Sequence, residues 1–242
     1  MSVDKYLESG FDDVQGWCSR RILEIVGHFT EISTAAGVVG GACEIGVHQG
    51  KFFLGLVNAV HGRPSLAIDI FDDQALNIDR SGGGINDMRA GFRANVQKYA
   101  PFPENVADMA RDSLSLNGVD RNNISGRYGP FQLFSVDGGH MAQHLVNDYA
   151  FAEEMTAPGG AIIIDDILNG GFPGVIEGVA RLFLFGSPRF APLLLGHNKL
   201  IMVGLSYHQR YLEQLTSRLA EAYPEMAMWR PKFFGHEVIS LV

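Results

Sequence analysis

The chain has 242 residues, 46% of them hydrophobic and 19% charged, with a formal net charge of -8. That length and apolar content suffice for the core of one large α/β domain, and no linker divides it. The longest basic run is Arg20-Arg21, so no stripe of cations could track a phosphate backbone, which argues against nucleic acid as a partner. Cys18 and Cys43 stand in no metal-binding spacing and read as reduced packing residues. No uncharged apolar stretch reaches the roughly 20 residues a membrane span needs, and the first residues are polar and acidic, so the expectation is a cytoplasmic protein without a membrane partner.

In chain order, Val14, Trp17, Ile22, Ile25, Val26 and Phe29 recur at helical spacing and predict an amphipathic leading helix over 13–32. Its apolar face must dock on the sheet or on a second subunit, which favours a homo-oligomer. Residues 1–36 are expected to form an N-terminal helical extension and 37–242 the main domain. Strands are predicted over 42–47, 66–70, 106–109, 131–136 and 161–164. Helices over 51–60, 87–99, 141–155 and 174–185 and a short one from Ser113 alternate with them. This order predicts a doubly wound α/β sheet, mostly parallel, with helices on both faces. Residues 192–204 are two apolar runs split by Gly196-His-Asn198 and read as a hairpin, hence an antiparallel edge. A helix over 207–222 and a tail from Trp229 complete the chain. Ser81-Gly-Gly-Gly84 reads as a glycine hinge, and a mobile lid is expected there.

Three acids close buried strands: Asp137 in Phe134-Ser-Val-Asp-Gly-Gly-His140, and Asp165 and Asp166 in Gly160-Ala-Ile-Ile-Ile-Asp-Asp166. Ligands of open α/β sheets bind outside the carboxyl ends of the strands, so parallel neighbours would bring these carboxylates together. Unit charges about 4 Å apart repel by about 4 kcal/mol at an effective dielectric near 20. The cluster therefore needs protons or a cation, and oxygen donors suit Mg2+ or Mn2+ better than zinc. Equally open for an Asp-Asp pair is that one caps the next helix while the other points to solvent.

Glu44-Ile-Gly46-Val-His-Gln-Gly50 follows the first strand and opens the first helix after it. It meets neither the dinucleotide nor the P-loop pattern, since Gly46 and Gly50-Lys51 are one residue too close and Phe52 replaces the hydroxyl. Its glycines let the backbone approach a ligand closely, although a tight strand-to-helix turn recruits glycine anyway. Asp69 ends the next strand, where α/β nucleoside binders place an acid for ribose hydroxyls, although a plain loop acid fits equally. Asp112 and Ser113, after the third strand, could reach an adenine or cap a helix.

With those motifs in hand, the chain resembles the metal-dependent class I S-adenosylmethionine methyltransferases that act on natural-product sugars, the macrocin and mycinamicin type, and the related cephalosporin-hydroxylase-like proteins. The resemblance is carried by Glu44 to Gly50, Leu66-Ala-Ile-Asp-Ile-Phe71, Val136-Asp-Gly-Gly-His140, Pro158 to Asp166 and His197-Asn-Lys-Leu200. It implies a Rossmann-like domain and a cofactor site at Glu44, Gly46, Gly50, Asp69, Asp112 and Ser113. It further implies Mg2+ on Asp137, Asp165 and Asp166, with His140, three residues after the first aspartate, as general base. The expected activity is methyl transfer from S-adenosylmethionine to a hydroxyl of a small molecule, a glycosylated natural product. Alternatives on the same residues are a metal-dependent hydrolase or hydroxylase and a non-catalytic S-adenosylmethionine-binding subunit. For His140 itself, a helix-start histidine bonded to the backbone is the other reading, while His48, His144, His197 and His208 read as ordinary residues.

Overall fold

Acid-tipped apolar runs become neighbouring parallel strands in the computed structural model, which describes residues 2–82 and 87–241. Five strands, β1 (Ala42–Ile45), β2 (Ser65–Asp69), β3 (Val106–Ala110), β4 (Phe131–Val136) and β5 (Thr156–Ile164), lie parallel in the spatial order β3-β2-β1-β4-β5. Chain direction away from β1 thus reverses between β1 and β4, the crevice where open α/β sheets take ligands. β6 (Phe190–Gly196) and β7 (Lys199–Gly204) form the expected hairpin, with β7 antiparallel to β5.

The hairpin is not the edge, however. Among the residues after the last helix, β8 (Met228–Trp229), β9 (Lys232–Phe233), β10 (His236–Glu237) and β11 (Ile239–Leu241) are short strands. β11 pairs parallel with β6 and β8 pairs with β11, so the tail extends the sheet to nine strands. Ile239 and Leu241 point into the core, and three residues are too few for an alternation signal to have declared them.

Helices cover both faces. α1 (Val3–Ser9), α2 (Arg20–Ala35), α3 (Lys51–Ala59), α4 (Met88–Tyr99) and α8 (His208–Ala222) share one apolar cluster. α5 (Gly118–Tyr128), α6 (Ala142–Met155) and α7 (Pro173–Phe185) cover the other. The leading helix differs from its prediction: Gly16 turns at φ +141°, Ser19 caps α2 by accepting from the Ile22 N–H at 3.2 Å, and Trp17 lies outside any helix. The apolar face of α2 is spent within the chain, Ile22, Ile25, Val26 and Phe29 being buried where α2 meets α3 and α8. α5 is absent from the sequence reading because Arg121, Asn122 and Asn123 interrupt its pattern and Ile124 is its one buried residue. Of the expected glycine hinge, Ser81 and Gly82 are turn residues, whereas 83 and 84 lie outside the described residues.

Candidate active site

The sheet ladder runs one residue past the strand ends and thereby fixes the backbone of the site. Gly46 N–H donates to Ile68 O at 2.8 Å, Asp137 N–H to Ile45 O at 2.9 Å, and Asp165 N–H to Val136 O at 3.0 Å. Gly46, at φ +83°, lies so close to the chain after β4 that a Cβ would sit 1.7 Å from the Asp137 carbonyl oxygen. No side chain is tolerated there, and the same turn clears the crevice. A cavity of about 620 Å³ opens at this edge, within the usual range for small-molecule sites.

Glu44, Gly46, Asp69, Asp112, Ser113, Asp137, His140, Asp165 and Asp166 all line that cavity. Gly50 does not; at φ +90° it begins α3, with the Phe92 ring 3.0 Å from where a Cβ would stand. Residues 16–19, between α1 and α2, form part of the wall.

On the Glu44 side, the carboxylate is 1% exposed and its Oε1 has no partner. Burial pushes its pKa up to about 8, opposed first by the neighbouring Ser135 hydroxyl and then by the charge of Lys199. An unpartnered buried acid is costly, and a cationic ligand group in the cavity would satisfy it. Asp69 accepts the His48 N–H at 2.9 Å and the Phe71 N–H at 2.6 Å, one on each oxygen. Burial raises its pKa and these backbone donors pull it back. Each oxygen keeps acceptor capacity toward the cavity. Asp112 caps a short turn by accepting the Leu114 N–H at 3.0 Å, so it is a cap and a cavity residue at once.

Opposite them, Asp137, His140 and Asp166 bring ligand atoms within 4.8 Å of one another, the one such cluster among the described residues. His140 Nε2 lies 3.0 Å from Asp166 Oδ2 and 3.9 Å from Asp137 Oδ1. Its Nδ1 is 2.8 Å from Asp79 Oδ2, and the Phe172 ring stacks on the imidazole at 3.8 Å. Burial pushes the imidazole pKa down, but Asp166 and Asp79 more than reverse this, and it ends raised. For Asp166, burial raises the pKa while hydrogen bonds from His140, Asn169 and Asn198 bring it below the ordinary carboxylate range. Asn169 Nδ2 and Asn198 Nδ2 donate to Asp166 Oδ1 at 2.9 and 2.6 Å. The Asp137 side chain is 26% exposed, toward the cavity, yet its enclosure and the charge of Asp165 hold its carboxyl well above the usual range. The two carboxylates are oxygen donors that fit Mg2+ or Mn2+, whereas the imidazole beside them is a donor that softer metals prefer.

Asp165 is not one of those three, although its carboxyl neighbours that of Asp137. Its Oδ1 accepts the Asp166 N–H at 2.8 Å and its Oδ2 binds the ammonium of Lys199. Neither member of the acidic pair caps a helix or points to bulk solvent. Asp79, Phe172, Lys199 and Asn198 are the residues sequence reasoning missed at this site. Lys199 and Asn198 fall within the quoted His197-Asn-Lys-Leu200 stretch, but nothing local in the sequence marks Asp79. His48, His144 and His197 also line the cavity, and both ring nitrogens of His48 lack partners.

A protein-family model described as a methyltransferase domain matches residues 43–167, just over half of the chain. No curated protein matches it. Among solved structures, the O-methyltransferase NovP aligns with a TM-score of 0.61 at 15% identity, covering 77% of this chain and 80% of its own. An O-methyltransferase from Bacillus cereus in complex with SAH aligns with a TM-score of 0.55 at 15% identity, covering 83% and 88%. A putative caffeoyl-CoA O-methyltransferase from Staphylococcus aureus aligns with a TM-score of 0.57 at 14% identity, covering 84% and 93%. At these identities the likeness is one of fold.

Proposed function

This chain belongs to the methyltransferase-domain family, and from that premise we propose that it transfers a methyl group from S-adenosylmethionine to a hydroxyl of a small molecule, with Mg2+ or Mn2+ bound beside the acceptor. The observation that carries the reading is a single cavity with an unpartnered buried acid, Glu44, on one side and the Asp137–His140–Asp166 cluster on the other. Glu44 would face the cationic methionine end of the cofactor, Asp69 the ribose hydroxyls, and Asp112 and Ser113 the adenine. Asp137 and Asp166 would hold the cation.

His140 is the base in this reading. Asp79 fixes Nδ1, which directs Nε2 at the space between Asp137 and Asp166, where an acceptor hydroxyl would give up its proton. Phe172 covers one face of the imidazole and keeps water from it. When bound, the cation would supply acidity to the acceptor hydroxyl and positive charge opposite Asp166, which frees the imidazole from its protonated state. The chain's own contribution is placement, worth several kcal/mol when the reacting groups are held in line.

The acceptor we favour is a glycosylated natural product. Trp17, Leu76, Ile78 and Met141 line the cavity and are exposed, an apolar mouth suited to the body of such a molecule. A cytoplasmic setting fits the free cysteines and the lack, among the described residues, of a helix long and apolar enough to cross a membrane. We include a homo-oligomer in the reading on account of the exposed Leu184 and Phe185 at the end of α7.

Calorimetry with S-adenosylmethionine, followed by labelled-methyl transfer to a panel of glycosides with Mg2+ or with EDTA, tests the reading. Cofactor binding in both conditions with transfer in Mg2+ alone is the expected result. Transfer at full rate in EDTA would remove the cation from the reading. Uptake of cofactor without transfer to any hydroxyl would point to a binding subunit.

A further inference from the structure

Lys199 opens β7, and because β7 runs antiparallel to β5, its first residue lies at the edge where β5 delivers Asp165 and Asp166. Its side chain is 1% exposed. The stem packs over Phe52, with the ammonium 4.0 Å from the ring centroid, and the charge ends on Asp165 Oδ2. Buried ammonium groups cannot be left unpaired without a large desolvation cost, so this pair is not readily opened. Asp165 spends its other oxygen on the Asp166 N–H. Its charge is thus met first by Lys199, which hydrogen-bonds it and acts on Asp137 only through space, whereas Asp137 and Asp166 share a cluster with His140.

We propose that Lys199 is a built-in counter-charge that withdraws Asp165 from cation binding, so that the divalent ion has Asp137 and Asp166 as its two carboxylates and an affinity held down by Lys199. The inference rests on the metal-dependent reading above, and it departs from the Asp137, Asp165 and Asp166 set that the family resemblance implies. Lys199 is a positioning residue in this scheme: it does not touch the acceptor but decides which acids remain free. A third carboxylate would bind the ion more tightly, and fewer of its positions would be left for an acceptor hydroxyl.

Titration of the full-length protein with Mg2+ and with Mn2+ by calorimetry, without acceptor, tests the proposal through binding alone. Lys199→Met frees Asp165 as a third carboxylate and removes a nearby positive charge, so Mg2+ affinity should rise at least about tenfold. Lys199→Met combined with Asp165→Asn removes both charges and should bind Mg2+ within about threefold of the wild type, because a masked Asp165 was never a ligand. A loss of about tenfold or more in that double variant would overturn the proposal, since Asp165 would then be a ligand in the presence of Lys199. Unchanged or weaker binding by a folded Lys199→Met protein would overturn it too. If the stranded carboxylate keeps the single variant from folding, the double variant decides alone. Should the wild type bind neither ion, the metal-dependent reading fails and takes this inference with it. Failure in the variants alone leaves that reading standing.

Discussion

Asp79 Oδ2 sits within hydrogen-bond distance of both the backbone nitrogen of His140, at 2.9 Å, and its ring Nδ1, at 2.8 Å. One carboxylate oxygen thereby fixes where the residue starts and which ring nitrogen faces away from the cavity. Hydrogen bonds from Ser81 and His140 outweigh the burial of Asp79 and keep it ionised. Its charge in turn is one of the two that raise the imidazole pKa.

Asp79→Asn should therefore do two separable things. Partners that orient a functional imidazole typically contribute about 10- to 100-fold, and a fall of that order in kcat is expected. Removing a charge that raises the His140 pKa should also move the acidic limb of the pH–kcat profile to lower pH. A variant with the wild-type profile, whatever its rate, would show that Asp79 does not govern the titration of His140.

His140→Ala deletes the proposed base but leaves Asp137 and Asp166 in place. General bases contribute about 100- to 10,000-fold, so kcat should fall by that order while calorimetric affinity for S-adenosylmethionine changes little. Near-normal kcat on the true acceptor would make His140 a structural histidine, held between Asp79 and Asp166 for packing alone.

Much of this arrangement was legible in the sequence because parallel strands buried on both faces are continuous apolar runs with polar ends. β4 runs from Phe131 to Val136 as its composition indicates, and Asp137 follows it into the cavity. Glu44 and Gly46 were readable for the same reason, as the end of β1 and the turn beyond it. Asp79 was not, since it lies in a loop without periodicity and meets His140 across 61 residues. Lys199 was invisible as a site residue on different grounds. The hairpin was expected, but its pairing against β5 was not specified by its own residues, and that pairing is what delivers the lysine to the carboxyl edge. The leading helix was drawn too early because Val14 and Trp17 happen to continue the spacing of α2 across the Ser19 cap.

Asp69 joins the cofactor side of the cavity to the glycine turn, since it accepts from both His48 and Phe71 backbone nitrogens. Asp69→Ala strands those donors and removes the acid proposed to meet the ribose. Loss of partners of a charged group costs about 1 to 3 kcal/mol, so S-adenosylmethionine binding should weaken by that amount. Asp69→Asn, which keeps one acceptor oxygen, should lose less. Equal affinity for all three proteins in calorimetry would remove Asp69 from the cofactor site.

Asp148 on α6 offers a test of the fold that does not pass through catalysis. The residue is fully buried, its Oδ1 accepts from Asn147 Nδ2 at 2.9 Å, and its Oδ2 has no partner. Burial raises its pKa from 3.8 to about 6, against the opposing pull of the neighbouring Ser113 and Asn147 side chains. Between about pH 4 and 6 the folded protein thus keeps a proton that the unfolded chain releases, and stability falls as pH rises through that window. Above it the penalty is fully present, with an upper bound of about 3 kcal/mol. Asp148→Asn should accordingly raise the melting temperature at pH 8 and leave it little changed near pH 4. Glu44 titrates in the same sense at higher pH, so the informative quantity is the difference between wild type and variant rather than either curve alone. A difference that stays constant from pH 4 to pH 8 would mean that the Asp148 carboxyl titrates at its ordinary value, with water reaching Oδ2 through the space beside Gly138.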